Sequence, residues 1–352
     1  MENIVITSGN AYTEIDTLAS ALAYKELLSK EERNSTVVLV GHPNQSITEK
    51  IKSWGLPYTT TPPRGDANIV VVDVSEPDHI AEFVIQGKIV EIYDHHAGFE
   101  NYWENRLGNK AKIEIIGACA TLIWEEYKNR GFAKDISTLT ANLLSTAIIS
   151  NSLNFNASVT DKRDRQAYNE LAKYTDLPEN WLTIYYQDQE KGIYIDPKTA
   201  IINDTKVQQV NNLELVIGQL ELWDSKKFLS KYLEEAKSAL KCFGKPNWFL
   251  TSPSISEGKN YLYTEDEKVK QLLIKTINAK FDNNHGETNE LWLRKEILRE
   301  IQNLPPEAGK NAAALDSDLI QAEQIDRKNL SKVKKELTRA RETLYPPYSK
   351  PF

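Results

Sequence analysis

The stretch that decides the fold is Ile89-Val90-Glu91-Ile92-Tyr93-Asp94-His95-His96. A β-branched and aromatic run that passes at once into three titratable groups reads as a strand delivering a polar cluster to its carboxyl end. The same grammar appears upstream in Ile69-Val70-Val71-Val72-Asp73-Val74, where an apolar run carries an aspartate near its end. Working outward, Ile4 to Thr7, Thr36 to Val40 and Ile113 to Ile116 read as further strands. Thr17 to Lys30, Ile47 to Trp54, Ala120 to Asn129 and Leu139 to Ile149 read as helices between them. Strands alternating with helical stretches predict βαβ units, hence an α/β fold with a parallel sheet. Such sheets place ligands at the carboxyl ends of their strands. Asp16, which opens a helix after the first strand's loop, Asp73 and the Asp94-His95-His96 triplet are therefore expected on one edge.

Beyond about residue 155 the pattern turns helical, with Asp161 to Tyr174 and then Glu179 to Gln189. The polar stretch 188–197, which includes Gly192 and Pro197, reads as a linker. After it come strands at Lys206 to Val210, Leu213 to Leu222, Trp248 to Thr251 and Asn260 to Tyr263, with helices at Ser225 to Leu240 and Glu267 to Lys280. The expected organisation is a parallel-sheet domain over 1–187, the linker, and a smaller α+β domain over 198–345. The charged run Asp318 to Leu344 reads as a solvated helix packed on that second domain.

A chain of 352 residues favours two domains. Its 40% hydrophobic and 26% charged residues are ordinary globular composition. The net charge of −7 argues against a nucleic-acid coat and against binding to anionic membranes, so an anionic substrate would need a local basic patch. The apolar stretches fall short of the about 18 residues a membrane span needs, and Met1 leads directly into the first strand without a signal-like segment. A cytoplasmic, membrane-free protein is the expectation. Cys119 and Cys242 lack metal or disulfide spacing and are expected to be buried free thiols.

An Asp-His-His triplet at a strand end is a sharper signal than a lone histidine, because three consecutive polar groups are costly to bury without partners. The plainer alternative makes Asp94 a helix cap and the histidines loop residues. Oxygen-rich ligands with one or two imidazoles suit Mn²⁺, Mg²⁺ or Fe²⁺ better than they suit zinc, which is typically held by thiolates.

Asp94-His95-His96 resembles the signature of the DHH phosphoesterases, and four further motifs follow the order of that family. Ser8-Gly9-Asn10-Ala11-Tyr12-Thr13-Glu14-Ile15-Asp16-Thr17 is similar to its first motif, and Val72-Asp73-Val74-Ser75-Glu76 to its second. Gly117-Ala118-Cys119-Ala120-Thr121-Leu122 resembles the G-x-x-A-T-L that opens the following helix. Ser150-Asn151-Ser152-Leu153-Asn154-Phe155 with Thr160-Asp161 resembles the fourth. Asp204-Thr205-Lys206, Gly218-Gln219-Leu220-Glu221 and Leu293-Arg294-Lys295-Glu296 are similar to phosphate-clamp segments of one subgroup. That subgroup holds the family II inorganic pyrophosphatases, the prune-like proteins and the yeast-type exopolyphosphatases.

The resemblance implies an α/β DHH domain, a smaller α+β domain and an active site in the cleft between them. It implies two divalent metal ions, Mn²⁺ or Mg²⁺ with Co²⁺ as a further candidate, which activate water and neutralise phosphate charge. Asp73 would bridge them. Asp16, His95 and Asn151 would complete one site, with Asn10 and Glu14 at the other. Asp94 would fix the histidine tautomers from behind, and His96 would sit beside the substrate phosphate with Lys206, Arg294 and Lys295. Against the pyrophosphatase pattern, Asn10 stands for a histidine, Glu14 and Asn151 for aspartates, and Glu296 for a third cationic residue. The Gly9-Asn10 start resembles prune-like and exopolyphosphatase members. Hydrolysis of short linear polyphosphates is the leading expectation. A manganese-dependent inorganic pyrophosphatase and a decayed-site phosphate-binding or regulatory protein are the alternatives. Members acting on oligonucleotides carry a G-G-G-H motif, and this chain has no Gly-Gly pair. The expected partner is a small anion, polyphosphate or pyrophosphate, and not nucleic acid. The sequence leaves the oligomeric state open.

Overall fold

The computed structural model describes residues 3–210 and 213–304. The charged run Asp318 to Leu344 and the end of the expected second domain lie outside the described residues. Strands β1 (Ile4–Thr7), β2 (Ser35–Val37), β3 (Asn68–Val72), β4 (Ile89–Asp94) and β5 (Ala111–Ile113) form a five-stranded sheet. Its order is β2-β1-β3-β4-β5 and every pairing is parallel. Parallel neighbours need crossovers, and the helices that make them bury both faces of the sheet.

Helix α1 (Ile15–Lys30) shows why it sits so deep. Ile15, Leu18, Ala19, Ala21, Ala23, Tyr24, Leu27 and Leu28 are all fully buried, so the helix has no wet side in its first three turns. Helix α2 (Glu100–Leu107) lies on the other face, where Trp103 joins Val5, Val71 and Ile92 in the core. Helices α3 (Cys119–Asn129) and α4 (Thr138–Asn151) pack against α1, and α5 (Lys162–Leu171) packs on both of them. Short local propensity did not reveal α2, whose register is set by burial of that one tryptophan.

The segment read as a linker is largely helical. Helix α6 runs over Trp181–Ile195 and α7 over Pro197–Asn203, broken only at Asp196. Tyr185, Tyr186 and Ile193 are fully buried on α6, so tertiary burial holds a polar stretch in helix.

The second sheet contains β6 (Thr205–Val210), β7 (Leu213–Gln219), β8 (Trp248–Ser254), β9 (Lys259–Tyr263), β10 (Lys280–Asp282) and β11 (His285–Thr288). Its order is β10-β11-β9-β8-β7-β6, antiparallel except for β7 against β8. Alternate residues of β7 serve different cores. Val216 packs with α7 and with α8 (Ser225–Lys241), while Leu215 and Ile217 pack with α9 (Glu267–Ile277) and α10 (Arg294–Gln302). Helix α9 ends at Ile277 rather than Lys280, because Asn278 adopts a left-handed cap at φ 52° and turns the chain into the β10–β11 hairpin. Of the two thiols expected to be buried, Cys119 is buried and Cys242 is exposed, since Cys242 caps the C-terminus of α8 where the chain leaves the core.

Candidate metal centre

Four strand-end and helix-start segments build the site. Asp73 follows β3 with φ of 59°, a left-handed backbone that L-residues other than Asn and Asp rarely adopt. The Asp73 N–H donates to Tyr93 O at 2.8 Å, which locks that turn to β4. Its Oδ2 accepts the Thr17 hydroxyl. Its Oδ1 is buried and has no hydrogen-bond partner among the described residues.

His95 faces that orphaned oxygen. A carbonyl can only accept, so the 3.1 Å contact between His95 Nδ1 and Ile116 O fixes the proton on Nδ1. Nε2 then carries a lone pair, 3.4 Å from Asp73 Oδ1 and 3.8 Å from Asp16 Oδ2. Burial, with Lys295 and His96 adding to it, pushes the His95 pKa down to about 3. The imidazole is therefore neutral at physiological pH, and its Nε2 lone pair faces two carboxyl groups whose charged forms burial disfavours. A cation relieves that arrangement.

His96 is held differently. Its Nδ1–H donates to Asp94 Oδ1 at 2.8 Å, the same oxygen that accepts the His95 N–H at 2.8 Å. Burial works against the charged forms of both residues, but their mutual attraction prevails: Asp94 is held below the usual carboxylate range and His96 above the usual imidazole range. The outer nitrogen of His96 is left to face the site. Asp73, His95 and His96 each offer a ligand atom within 4.8 Å of the others.

Asp16, in the first turn of α1, is fully buried against the N-terminus of α3. Its two oxygens accept the Cys119 and Ala120 N–H groups, each at 2.8 Å, satisfying donors that a helix start leaves orphaned. Burial and the neighbouring Asp73 raise its pKa to about 7, and burial and Asp73 do the same for Glu14. Glu14 lines a cleft with Asn151, Gln189, Asp204 and Glu221. Asn10 Oδ1 accepts the Glu82 N–H at 3.0 Å. The structure thus brings Asp16, Asp73, His95 and His96 together, and sets Glu14 and Asn151 along the adjoining cleft.

Lys206 arrives on β6, and Arg294 and Lys295 open α10. The Lys295 ammonium lies 3.5 Å from both ring nitrogens of His95. Lys206 stacks its ammonium over the Tyr12 ring at 5.5 Å, and burial and Arg294 hold it below the ordinary lysine range. Arg294 is committed to the protein. Its Nη1 donates to Asp204 O at 2.7 Å, and its Nη2 donates to Asp204 Oδ1 at 2.8 Å and to Tyr12 Oη at 3.3 Å.

Asp164 was not singled out from the sequence. It is fully buried, and its carboxylate accepts the Gly117 N–H at 2.9 Å, the Thr121 hydroxyl at 2.6 Å and the Asp161 N–H at 2.8 Å. A Cβ on Gly117 would stand 2.5 Å from Asp164 Oδ2, so glycine is required there. The signal nearby was the Thr160-Asp161 motif, where Asp161 caps α5, and it is Asp164 that braces the start of α3 from α5.

No family model matches the chain. The protein named probable manganese-dependent inorganic pyrophosphatase of Shouchella clausii is 30% identical over 241 residues, covering 65% of this chain and 74% of that protein. The chain belongs to the family of manganese-dependent inorganic pyrophosphatases. A relative of the same name from Lactobacillus helveticus is 25% identical over 312 residues, 85% of this chain and 96% of that one. A solved Methanococcus jannaschii structure, titled as a candidate family II inorganic pyrophosphatase, shares the fold with a TM-score of 0.64 at 22% identity, covering 85% of this chain and all of that one. Family membership agrees with the DHH resemblance carried by Asp94, His95 and His96. Among the described residues no helix is long and apolar enough to cross a membrane.

Proposed function

We propose that the chain hydrolyses phosphoanhydride bonds of small inorganic anions with divalent metal, Mn²⁺ first, and that pyrophosphate is its primary substrate. One observation carries the reading: the unpaired Asp73 Oδ1 and the lone pair on His95 Nε2 face each other at 3.4 Å, with Asp16 beside them. The donor set fits a hard or borderline cation: Asp73, His95 and Asp16 would hold one ion, and Asp73 and Glu14 would serve a second. Bound divalent ions supply Lewis acidity to the phosphate and lower the pKa of water. Asp94 holds the tautomer of His96 and so aims its outer nitrogen at the anion. Lys295 and Lys206 bind phosphate oxygens as point charges, and Arg294 holds Asp204 and Tyr12 in place around them.

The relatives' names favour pyrophosphate. Cleavage of short linear polyphosphates is the second reading, favoured by Glu296, which is a carboxylate where the pyrophosphatase pattern has a third cation. The deciding experiment is turnover of pyrophosphate, tripolyphosphate and longer polyphosphate with Mn²⁺, Mg²⁺ and Co²⁺. Pyrophosphate is expected to show the highest kcat/KM with Mn²⁺. A preference for tripolyphosphate would establish the second reading, and absence of both turnover and bound metal would identify a phosphate-binding protein with a decayed site.

A further inference from the structure

Glu296 is the neighbour of Lys295 on α10, yet it faces away from the metal centre. It is 1% exposed, and both of its oxygens are engaged. Oε2 accepts the Leu293 N–H at 2.6 Å and closes the first turn of α10. Oε1 accepts the Ser158 hydroxyl at 2.7 Å and the Val159 N–H at 3.0 Å. Those two donors belong to the loop that follows α4 and its residue Asn151, after three consecutive left-handed residues, Leu153, Asn154 and Phe155. An apolar seam runs alongside, in which Leu153 and Ala157 pack with Leu291 and Leu293.

Successive residues on a helix diverge by about 100°, so one turn of α10 presents Lys295 to His95 and Glu296 to the 158–159 loop. Fixing the second direction fixes the first. We propose that Glu296 is a positioning residue, which pins the N-terminus of α10 to the 158–159 loop and so holds the Lys295 ammonium over the metal centre. The proposal rests on Lys295 as a phosphate-binding group. In place of a third cation at the substrate, the chain has a buried brace behind the second.

The test uses the full chain with Mn²⁺ and compares wild type with Glu296→Gln and Ser158→Ala. An amide cannot accept at both ends, so Glu296→Gln must lose at least one of the contacts. Amide hydrogen exchange at Val159 and Leu293 reads the brace without any substrate, and is expected to speed up by about ten-fold in Glu296→Gln. The KM for pyrophosphate is expected to rise by about ten-fold with kcat within about two-fold, and Ser158→Ala to raise KM by about two- to three-fold. Affinity for imidodiphosphate, a non-hydrolysable analogue, should weaken in parallel. Unchanged exchange at Val159 in Glu296→Gln would overturn the brace. Faster exchange with unchanged KM and analogue affinity in both variants would overturn the positioning role. If wild type binds the analogue but turns over no pyrophosphate, the hydrolase reading fails alone and the analogue affinities decide the proposal. If wild type does not bind it, both fail. Should Glu296→Gln not fold, Ser158→Ala removes a single contact and decides between the same outcomes.

Discussion

The ammonium of Lys295 stands 3.5 Å from both ring nitrogens of His95, so a cation carried by the second sheet's α10 rests against the imidazole that ends β4. Two cationic residues adjacent in sequence thereby acquire different duties. Lys295 is at the site, whereas Arg294 is 6% exposed and hydrogen-bonded to Asp204 and Tyr12. Lys295→Met, which keeps the apolar stem and removes the charge, is expected to raise KM for pyrophosphate by about ten-fold with bound Mn²⁺ unchanged. Arg294→Ala should instead destabilise the fold by about 3 kcal/mol, because it strands the Asp204 carboxylate and carbonyl. Steady-state kinetics, metal analysis and urea unfolding on each single variant separate the two. Metal loss in Lys295→Met would contradict its placement.

Asp73→Asn is expected to lower kcat to about 1% of wild type or less while the fold persists. Asparagine is the substitution of choice, since it tolerates the left-handed backbone at φ 59° and can still accept from Thr17. Circular dichroism confirms the fold and phosphate release reads the activity. Retention of a tenth of the activity would remove Asp73 from the centre of the chemistry.

Asn151→Asp should tighten Mn²⁺ binding, because it adds a full charge to a cleft already lined by Glu14. An increase of about ten-fold is expected by isothermal titration. Equal affinities in wild type and variant would show that residue 151 does not touch the ion.

Glu221 supplies a pH test in the cleft that Glu14 lines. Burial, then Asp204 and Glu14, push its pKa up to about 8 from an ordinary 4.5. Between those values the folded chain keeps a proton that the unfolded chain has lost, so stability falls as pH rises through that window and levels off above it. Glu221→Gln should remove this slope and raise Tm at pH 8 by about 2–4 °C relative to wild type. Parallel Tm profiles for the two proteins from pH 5 to about 8.5 would refute the burial of a protonated carboxyl there.

By itself the sequence determined the parallel sheet and the strand-end positions of Asp73, Asp94, His95 and His96, because strand runs and their polar ends are local patterns with a short period. It also marked Asp16 and Lys295. Only the tertiary structure decided what those groups touch. Asp16 accepts N–H groups from Cys119 and Ala120, 103 and 104 positions away, and Arg294 is a buried partner of Asp204. Helix α6 extends through a polar stretch because Tyr185, Tyr186 and Ile193 are buried there. Glu296 reads in sequence as a lost cation and in the fold as a brace to Ser158 and Val159. Local periodicity records which face a residue presents, but the hydrogen-bond partner that satisfies a buried charge comes from a distant segment, and only the folded chain brings the two within reach.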